Sequence, residues 1–570
     1  MAAVLALLWL LGTGPAMAAG AAAVDGVDVE RILAKMDRET KVAQLMLVGF
    51  DGIRVVPRRR NWAQTRQVGG VVLFSRNIVD LAQTGQLTRA LQAQARQGVP
   101  IFVALDQEGG NVVRIREGAT VLPGNMALGA TREPALAYVA GQAVGIDLRL
   151  LGFNMNLAPV LDVNSNPQNP VIGIRSYGER PDLVASMGEW FIRGQQEMGV
   201  MSVAKHFPGH GDTQSDSHLA MPSINADMAR LDALELVPFR QAIAAGVDAI
   251  MTAHIALPRL GERADLPATL SRRVLTDLLR QRLGFTGIVV TDDLEMQGVV
   301  QRFGRGRAAV LSVVAGADMP MVLGSDDAKE EVYQALLAAV HSGEIGQARL
   351  DQSVRRILQG KARRGLFGRS LEPLDQVIKS GNRNDVHLQV ADRIARGAIT
   401  LVRNHDDILP LRASLSRIVV LAPPGPFARR LAAEANVNVI ITPYAPTREE
   451  RQQIVARLRT LVPTADVWVA AVINRYHVDM VRSIRAATGS TPLALVSLAS
   501  PYYLRQVPDA QAYVCTYSFL DAAQAAAAEA VLGRLSMTGR LPVSIPDFYA
   551  YGHRIEDRVG GATAAVDFSK

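Results

Sequence analysis

Residues 200–218 read VMSVAKHFPGHGDTQSDSH. The opening run VMSVA is short and apolar, as buried strands are, whereas the residues from Phe207 onward are rich in Gly, Ser, Asp and Pro, which favour a loop. The stretch therefore predicts a buried strand that continues into a polar loop. Polar residues at the end of a strand, followed by a loop, are typical of catalytic sites.

Seven further apolar runs of the same kind lie on either side of this strand. They begin at Leu45, Val68, Ile101, Phe153, Ala249, Ile288 and Asp318. Apolar strands without polar alternation, separated by segments of helix length, indicate a parallel sheet buried on both faces. The fold class is therefore α/β, and eight such units predict a (β/α)8 TIM-type barrel, which we place at residues 28–370. A doubly wound sheet is the alternative.

A second, smaller domain is predicted after the barrel. The segment 371–387 is polar and is interpreted as a linker. Residues 388–550 then repeat strand-like runs such as IVVLAP, ADVWVAAVIN and AYVCTYSF, separated by helical stretches such as AAQAAAAEAVL. This pattern predicts an α/β sandwich domain, with residues 551–570 as a tail.

Polar residues follow most of the predicted barrel strands. They are Asp51, Asp106, Asp162, Lys205, His206, His254, Asp292 and Asp293. The carboxyl ends of barrel strands meet at one face, so these side chains are expected to converge on one pocket.

The loop supplies a candidate proton donor. Asp216 and His218 are two residues apart, so in an extended conformation the carboxylate can orient and charge the imidazole. An imidazole begins near a pKa of about 6.5, so it needs only a neighbouring anion to donate near neutral pH. The alternatives are solvated loop residues in Asx-type turns, or a metal site at His206, His210 and His218, for which the usual ligand spacings are missing.

The seventh run, IVVTDD, supplies a candidate nucleophile. Side chains alternate along a strand, so only one of Asp292 and Asp293 is expected to face the pocket, and Asp293 has the alternative role of capping the next helix. A nucleophilic carboxylate, a proton donor on a loop and several polar groups that bind hydroxyls together predict glycosidic bond cleavage through a covalent intermediate.

The composition of the chain limits the class of protein and the partners that it can have. Of 570 residues, 49% are hydrophobic and 20% charged, as in globular proteins, and the net charge of +7 comes from basic residues spread along the chain, so no nucleic-acid partner is indicated. The single cysteine excludes an internal disulfide framework.

Residues 1–18, MAAVLALLWLLGTGPAMA, predict a cleaved signal peptide and export to the periplasm or outside the cell, with an uncleaved anchor as the alternative. No other stretch is long enough to span a membrane, so no stable span is expected in the mature protein.

Several of these motifs together resemble glycoside hydrolase family 3, specifically its β-N-acetylglucosaminidases. The match rests on KHFPGHGDTQSDSH, with support from ALDQEGG, APVLDVN, GIRSYG, MTAHI, TDDLEM and GRLPVSIP. The resemblance implies that Asp292 is the nucleophile, His218 the general acid/base and Asp216 its partner. It also implies that the terminal N-acetylglucosamine is bound by Asp106, Arg175, Lys205 and His206. Asn111 stands where the family often has a basic residue.

The resemblance further implies a retaining enzyme that removes non-reducing terminal N-acetylglucosamine from peptidoglycan fragments or chitooligosaccharides, with no metal or organic cofactor. Four alternatives remain at this stage: a phosphorylase, a β-glucosidase-type hydrolase of the same family, substrate-assisted hydrolysis, and an inactive sugar-binding protein. The sequence makes no prediction about the oligomeric state.

Overall fold

The structure is a computed structural model. It describes residues 27–56, 62, 66–214, 221–263, 265–379, 384–412, 414–489 and 491–556. The predicted signal peptide at 1–18 and the candidate catalytic residues Asp216 and His218 lie outside the described residues.

A closed barrel of eight parallel strands forms the first domain, so the predicted TIM-type fold is confirmed. Each strand falls within one of the eight apolar runs. Leu47 in the first strand pairs with Gly70 in the second and with Met321 in the eighth, which closes the barrel. The strands are β1 Leu47–Gly49, β2 Gly70–Val72, β3 Phe102–Leu105, β4 Met155–Asn156, β5 Met201–Phe207, β6 Ala249–Thr252, β7 Ile288–Asp293 and β8 Met319–Val322.

Helices surround the barrel and bury its outer face. They are Val29–Lys35, Arg38–Leu45, Leu81–Gln92, Asn125–Thr131, Pro134–Leu150, Pro181–Glu197, Met228–Ala233, Leu236–Ala244, the π-helix Arg273–Arg282, Gln297–Phe303, Arg305–Ala315, Asp326–Ser342 and Gln347–Arg363. Local sequence sets their ends in the expected way: the Ser325 side chain accepts the N–H of Ala328 at the start of one helix, and Gly343 ends it in the left-handed conformation.

β4 is much shorter than the apolar run that predicts it. The run extends from Phe153 to Val163, but only Met155–Asn156 forms a regular strand, and Val160 adds an isolated bridge to Lys205. Pro159 has no N–H to continue the hydrogen-bonding pattern, which accounts for the interruption.

The second domain is a six-stranded sheet with helices on both faces, so the predicted α/β sandwich is also confirmed. The strand order is β11-β10-β12-β13-β14-β9, and only β9 runs antiparallel to its neighbour. The strands are β9 Thr400–Asn404, β10 Ile418–Ala422, β11 Val437–Ile441, β12 Val467–Val472, β13 Leu493–Ser497 and β14 Ala512–Cys515. The helices are Asn384–Ala398, Pro426–Ala432, Arg448–Leu461, Arg475–Thr488 and Asp521–Val531.

The segment expected to be a linker is partly helical. A short helix, Leu374–Lys379, lies inside it, and the first helix of the second domain already begins at Asn384. In the described part of the chain, no helix combines the length and the apolarity that crossing a membrane requires.

Candidate active site

A cavity of about 510 Å³ opens at the carboxyl ends of the barrel strands. Seven of the residues singled out from the sequence line it together: Asp106, Arg175, Lys205, His206, His210, Asp292 and Asp293. Residues from strands that are far apart in the sequence therefore surround one space, as the barrel topology predicts.

One wall of this cavity is a cluster of alternating charges. Lys205 Nζ donates to Asp106 Oδ1 at 2.9 Å and contacts Glu108 Oε1 at 2.7 Å. Arg114 donates to the second oxygen of Asp106 at 2.9 Å. Arg175 binds Glu108 through two nitrogens, at 2.9 Å and 2.8 Å. Each buried charge thus has an opposite charge in contact with it, which burial requires.

These contacts fix the protonation states of the cluster. Burial raises the pKa of Glu108, but Arg175 and Lys205 lower it further, so it lies below its ordinary range. Burial likewise raises the pKa of Asp106, but Lys205 and Arg114 lower it below its ordinary range. Burial lowers the pKa of Lys205, but Asp106 and Glu108 raise it above its ordinary value. The cluster therefore presents charged donors and acceptors to a ligand at neutral pH.

His206 is oriented by a buried carboxylate. Its Nδ1 lies 2.7 Å from Asp162 Oδ2, and its backbone N–H donates to the other oxygen of Asp162 at 3.2 Å. Since a carboxylate accepts, Nδ1 carries the hydrogen and Nε2 is the nitrogen on the opposite edge of the ring. Asp162 also accepts the N–H of His210 at 2.6 Å, so it anchors the chain on both sides of Phe207.

Asp292 stands at the end of β7 and is half-buried at the cavity. Its Oδ1 accepts the N–H of Asp293 at 2.8 Å. His254 Nε2 donates to the Asp293 carbonyl oxygen at 2.9 Å, which fixes this strand end. Burial raises the pKa of Asp292, but His254 and then His206 lower it, so the pKa lies below its ordinary value.

Asp293 also lines the cavity, so the prediction that only one of the two aspartates would face it was wrong. The pairing of β7 with β8 shifts between Val290 and Asp293, and this irregularity breaks the strict alternation of side chains. Asp293 Oδ1 accepts the N–H groups of Glu295 at 3.2 Å and Leu323 at 3.3 Å. Burial and, to a lesser degree, the adjacent Asp292 raise the pKa of Asp293 to about 7.

The loop after β5 is packed tightly over its described part. At Gly211 a Cβ atom would lie 1.7 Å from the Val163 carbonyl oxygen, so only glycine fits. Arg230 donates to Asp212 at 2.7 Å and to the buried Glu235 at 3.1 Å, which ties the loop to the following helix. The description of the loop stops at Gln214, before Asp216 and His218.

The model of the glycosyl hydrolase family 3 N-terminal domain matches residues 38–359, more than half of the chain. The chain belongs to glycosyl hydrolase family 3. The resemblance drawn from the sequence motifs is therefore confirmed, and the matched segment contains every described side chain of the cluster around Lys205.

Three proteins that are similar to this family 3 chain have names that describe an activity. Beta-hexosaminidase A of Pseudoalteromonas piscicida is 39% identical over 379 residues, which are 62% of this chain and 62% of that protein. The beta-N-acetylglucosaminidase/beta-glucosidase of Cellulomonas fimi is 31% identical over 509 residues, covering 84% of this chain and 88% of that protein. A solved family 3 beta-N-acetylglucosaminidase from Paenibacillus sp. str. FPU-7 superimposes with a TM-score of 0.80 at 36% identity, covering 90% of this chain and 99% of that one.

Three strand-end residues of this family 3 barrel lie outside the cavity. Asp51 is 62% exposed and faces Lys329 at 3.7 Å. Asp162 and His254 are fully buried behind His206 and Asp292, so they contact residues of the cavity and do not line it. A strand-end position thus indicated the right face of the barrel but not which side chains reach its centre.

Sequence analysis missed two charged residues of the ion-pair cluster, Glu108 and Arg114. Glu108 lies in the quoted motif ALDQEGG, two residues after Asp106, and this spacing would have placed both carboxylates on one face of an extended segment. Arg114, eight residues after Asp106, was not singled out because the loop between them gives no periodic signal.

The metal interpretation finds no support in the histidines that the structure describes. His206 Nδ1 is bonded to Asp162, and His210 Nδ1 lies 2.8 Å from the Thr213 hydroxyl. Within the described ranges, no group of three or more His, Cys, Asp or Glu side chains has the arrangement of a metal site.

Proposed function

We propose that this chain is a retaining exo-β-N-acetylglucosaminidase that removes non-reducing terminal N-acetylglucosamine from peptidoglycan fragments or chitooligosaccharides. The names of its family 3 relatives support the sugar and the reaction. The observation that carries the proposal is the arrangement of one cavity, in which Asp292 lies at the end of β7 and the charged cluster of Asp106, Glu108, Arg175 and Lys205 lines the wall.

Asp292 is assigned as the nucleophile. Its lowered pKa keeps the carboxylate ionised at neutral pH, as nucleophilic attack requires. A carboxylate oxygen of Asp292 forms a bond to the anomeric carbon while the bond from that carbon to the leaving-group oxygen breaks. His218, oriented by Asp216, donates a proton to the departing oxygen, and it later accepts a proton from the water that hydrolyses the glycosyl-enzyme.

The charged cluster is assigned to binding the terminal sugar. Lys205 and Arg175 have only donors, and Asp106 has only acceptors, so together they match the hydroxyl groups of one pyranose. Their mutual ion pairs hold these groups in place before substrate arrives, which reduces the ordering needed on binding. His206 adds a ring nitrogen to the lining of the same cavity.

We assign the site of action to the periplasm or the outside of the cell. Support comes from residues 1–18, whose apolar run and Ala16-Met17-Ala18 site have the pattern of a secretory signal. Fractionation of cells that express the full-length chain, followed by N-terminal sequencing of the mature protein, tests this assignment. Mature protein in the cytoplasm with residues 1–18 intact would contradict it.

The activity is tested with a chromogenic β-N-acetylglucosaminide and the matching β-glucoside, each with and without phosphate. We expect turnover of the first substrate to exceed that of the second and to be independent of phosphate. Faster turnover with phosphate, accompanied by a sugar phosphate product, would instead identify a phosphorylase.

The covalent step is tested by trapping. An N-acetylglucosaminyl fluoride with a second fluorine at C5 is expected to label Asp292, as located by peptide mass mapping. Asp292→Ala should lose label and lower kcat/KM by about 10³-fold or more. Turnover without any label on Asp292 would favour substrate-assisted hydrolysis.

A further inference from the structure

A second cavity, of about 430 Å³, lies between the barrel and the second domain, and we call it the interdomain cavity. The barrel contributes Asn111 and the segment 167–174, and the second domain contributes Ile473 and residues 499–503 with Phe519. Residues from distant parts of the sequence therefore build one concave surface. A 2.9 Å hydrogen bond from the Asn164 side chain to the Tyr502 hydroxyl connects the two domains here.

The interdomain cavity adjoins the active site. Val171 lines both cavities, and its carbonyl oxygen accepts from Arg175 at 3.4 Å. Asn169, which also lines the interdomain cavity, donates to the His210 carbonyl oxygen at 2.9 Å in the loop after β5. This loop continues to Asp216 and His218, the proposed proton donor. Because the residue proposed to protonate the leaving-group oxygen belongs to this loop, the space that borders the loop at His210 is our candidate for the leaving group.

Aromatic rings with fixed orientations form one wall of the interdomain cavity. Tyr503 is half-buried and its hydroxyl donates to the Ile473 carbonyl oxygen at 2.6 Å. Phe519 is half-buried and its edge packs against Tyr444, with 6.3 Å between the ring centroids. Rings held in this way present flat apolar surfaces at little entropic cost, and the C–H face of a pyranose packs on such surfaces.

The same lining is uncharged. Among the fourteen described residues that line the interdomain cavity, none is Asp, Glu, Lys, Arg or His. A carboxylate placed against this lining would lose hydration without gaining an opposite charge, which is costly. The active-site cavity next to it contrasts sharply, since its wall is built from ion pairs.

We propose that the interdomain cavity is the leaving-group subsite and that it takes a neutral pyranose, such as a second N-acetylglucosamine, in preference to a sugar that bears a carboxylate. This inference rests on the proposed function and selects between its two substrate classes. The aromatic rings of the second domain then contribute to specificity through the leaving group alone, and the terminal sugar is bound by barrel residues.

The test compares three substrates on the full chain. They are methyl β-N-acetylglucosaminide, whose methyl group is too small to fill the cavity, N,N′-diacetylchitobiose, and the same disaccharide with a 3-O-lactyl carboxylate on its second ring. Tyr503→Leu removes a ring and should lower kcat/KM for diacetylchitobiose about 5- to 10-fold. It should leave kcat/KM for the methyl glycoside within about 2-fold of wild type.

Three further variants make the result specific. Tyr503→Phe keeps the ring but loses the hydroxyl that fixes it, so its kcat/KM for diacetylchitobiose should lie between those of wild type and Tyr503→Leu. If Tyr503→Leu does not fold, Phe519→Leu provides the same test and should show the same selective loss. Trp190→Leu removes a 40% exposed ring on the barrel surface, which lines neither cavity, and should change nothing.

The outcomes separate this inference from the proposed function. Wild-type hydrolysis of both neutral substrates, with a selective loss in the ring-removing variants and slower cleavage of the lactyl disaccharide, supports the inference. Equal losses on both neutral substrates, no loss, or a preference for the lactyl disaccharide overturns it while the proposed function stands. No hydrolysis of any substrate by wild type overturns the proposed function and this inference with it.

Discussion

At the scale of single residues, Glu108 is the carboxylate on which the charged cluster depends. Its side chain is 2% exposed and contacts both Arg175 and Lys205. Glu108→Gln leaves these cations partly unpaired in a buried site, so we expect the free energy of unfolding to fall by about 3 kcal/mol. We expect kcat/KM to fall by about 10²-fold, because the groups proposed to bind the sugar lose their positions. Denaturant unfolding and steady-state kinetics measure the two effects.

A surface pair provides the control for that prediction. Glu331 is 51% exposed and contacts Arg305 at 3.0 Å. Glu331→Gln should change the free energy of unfolding by less than about 1 kcal/mol and leave activity unchanged. Wild-type stability in Glu108→Gln would show that the buried pairs are replaceable.

Asp293 is expected to make stability depend on pH. Its pKa is raised from 3.8 to about 7 in the folded state, so folding favours its protonated form. This contribution to stability is fully present below pH 3.8, declines as pH rises to about 7, and is absent above that. Asp293→Asn keeps a neutral acceptor for the N–H groups of Glu295 and Leu323. We therefore expect its Tm, relative to wild type, to be higher at pH 8 than at pH 4.5.

Thermal unfolding at both pH values provides the measurement. Asp479 is an exposed aspartate, with 60% of its side chain accessible, and Asp479→Asn serves as the control. The same Tm difference between Asp293→Asn and wild type at the two pH values would rule out the raised pKa.

Individual site residues show why sequence analysis located only part of the site. Asp106, Lys205 and Asp292 were found because each directly follows a recognisable apolar run in the sequence. Glu108 and Arg114 lie in a loop, where position along the chain does not determine which way a side chain points. The exposed position of Asp51 has the same cause, because this residue lies in the loop after β1 and its carboxylate is 62% exposed.

At the scale of secondary-structure elements, the loop after β5 depends on close packing at its base. Gly211→Ala would place a methyl group against the Val163 carbonyl oxygen and displace the chain that leads to Asp216 and His218. We expect kcat/KM to fall by about 10²-fold for methyl β-N-acetylglucosaminide, whose departure requires general acid assistance. The loss should be smaller for the p-nitrophenyl glycoside, because nitrophenolate departs without a proton.

Gly346→Ala is the matched control, because nothing lies within 4 Å of a Cβ atom at that position and φ is −64°. Kinetics with the two leaving groups measure the effect. Equal losses on both substrates in Gly211→Ala would point to general misfolding and contradict a specific effect on acid catalysis.

The elements themselves could be predicted from sequence because their signals are local. Buried parallel strands read as uninterrupted apolar runs, so β5 and β7 stand out within a few residues. The irregular pairing at Asp293 could not be predicted in this way, since it depends on the register of β7 against β8. The helix inside the expected linker was missed because its composition is polar and its length is only one or two turns.

At the scale of the whole molecule, the segment 540–544 connects the second domain to the barrel through hydrogen bonds. Arg132 donates to the Leu541 carbonyl oxygen at 2.7 Å, and the N–H of Glu179 donates to the Pro542 carbonyl oxygen at 3.0 Å. The Glu179 carboxylate accepts the N–H and the hydroxyl of Ser544 at 2.7 Å and 2.6 Å. The motif GRLPVSIP, noted in the sequence for its resemblance, thus contains this interdomain contact.

We expect Glu179→Ala to weaken this attachment. The loss of two hydrogen bonds to one carboxylate costs about 2 kcal/mol, which corresponds to a decrease in Tm of about 1–3 °C in a protein of this size. Calorimetry measures it, with Glu556→Ala, at an 86% exposed position, as the control. An unchanged Tm would show that other interdomain contacts, such as Asn164 with Tyr502, are sufficient. No periodic pattern in the sequence predicts the contact of Glu179 with Ser544 or that of Asn164 with Tyr502.

The division of the two cavities between the domains bears on how such enzymes diversify. The charged cluster proposed to bind the terminal sugar belongs to the barrel, whereas Tyr503 and Phe519 belong to the second domain. Sequence variation in the second domain can therefore change which substrate is preferred, while the residues proposed to carry out the cleavage stay the same. Exchanging that domain between homologues is accordingly a route to new preferences that leaves the reacting groups untouched.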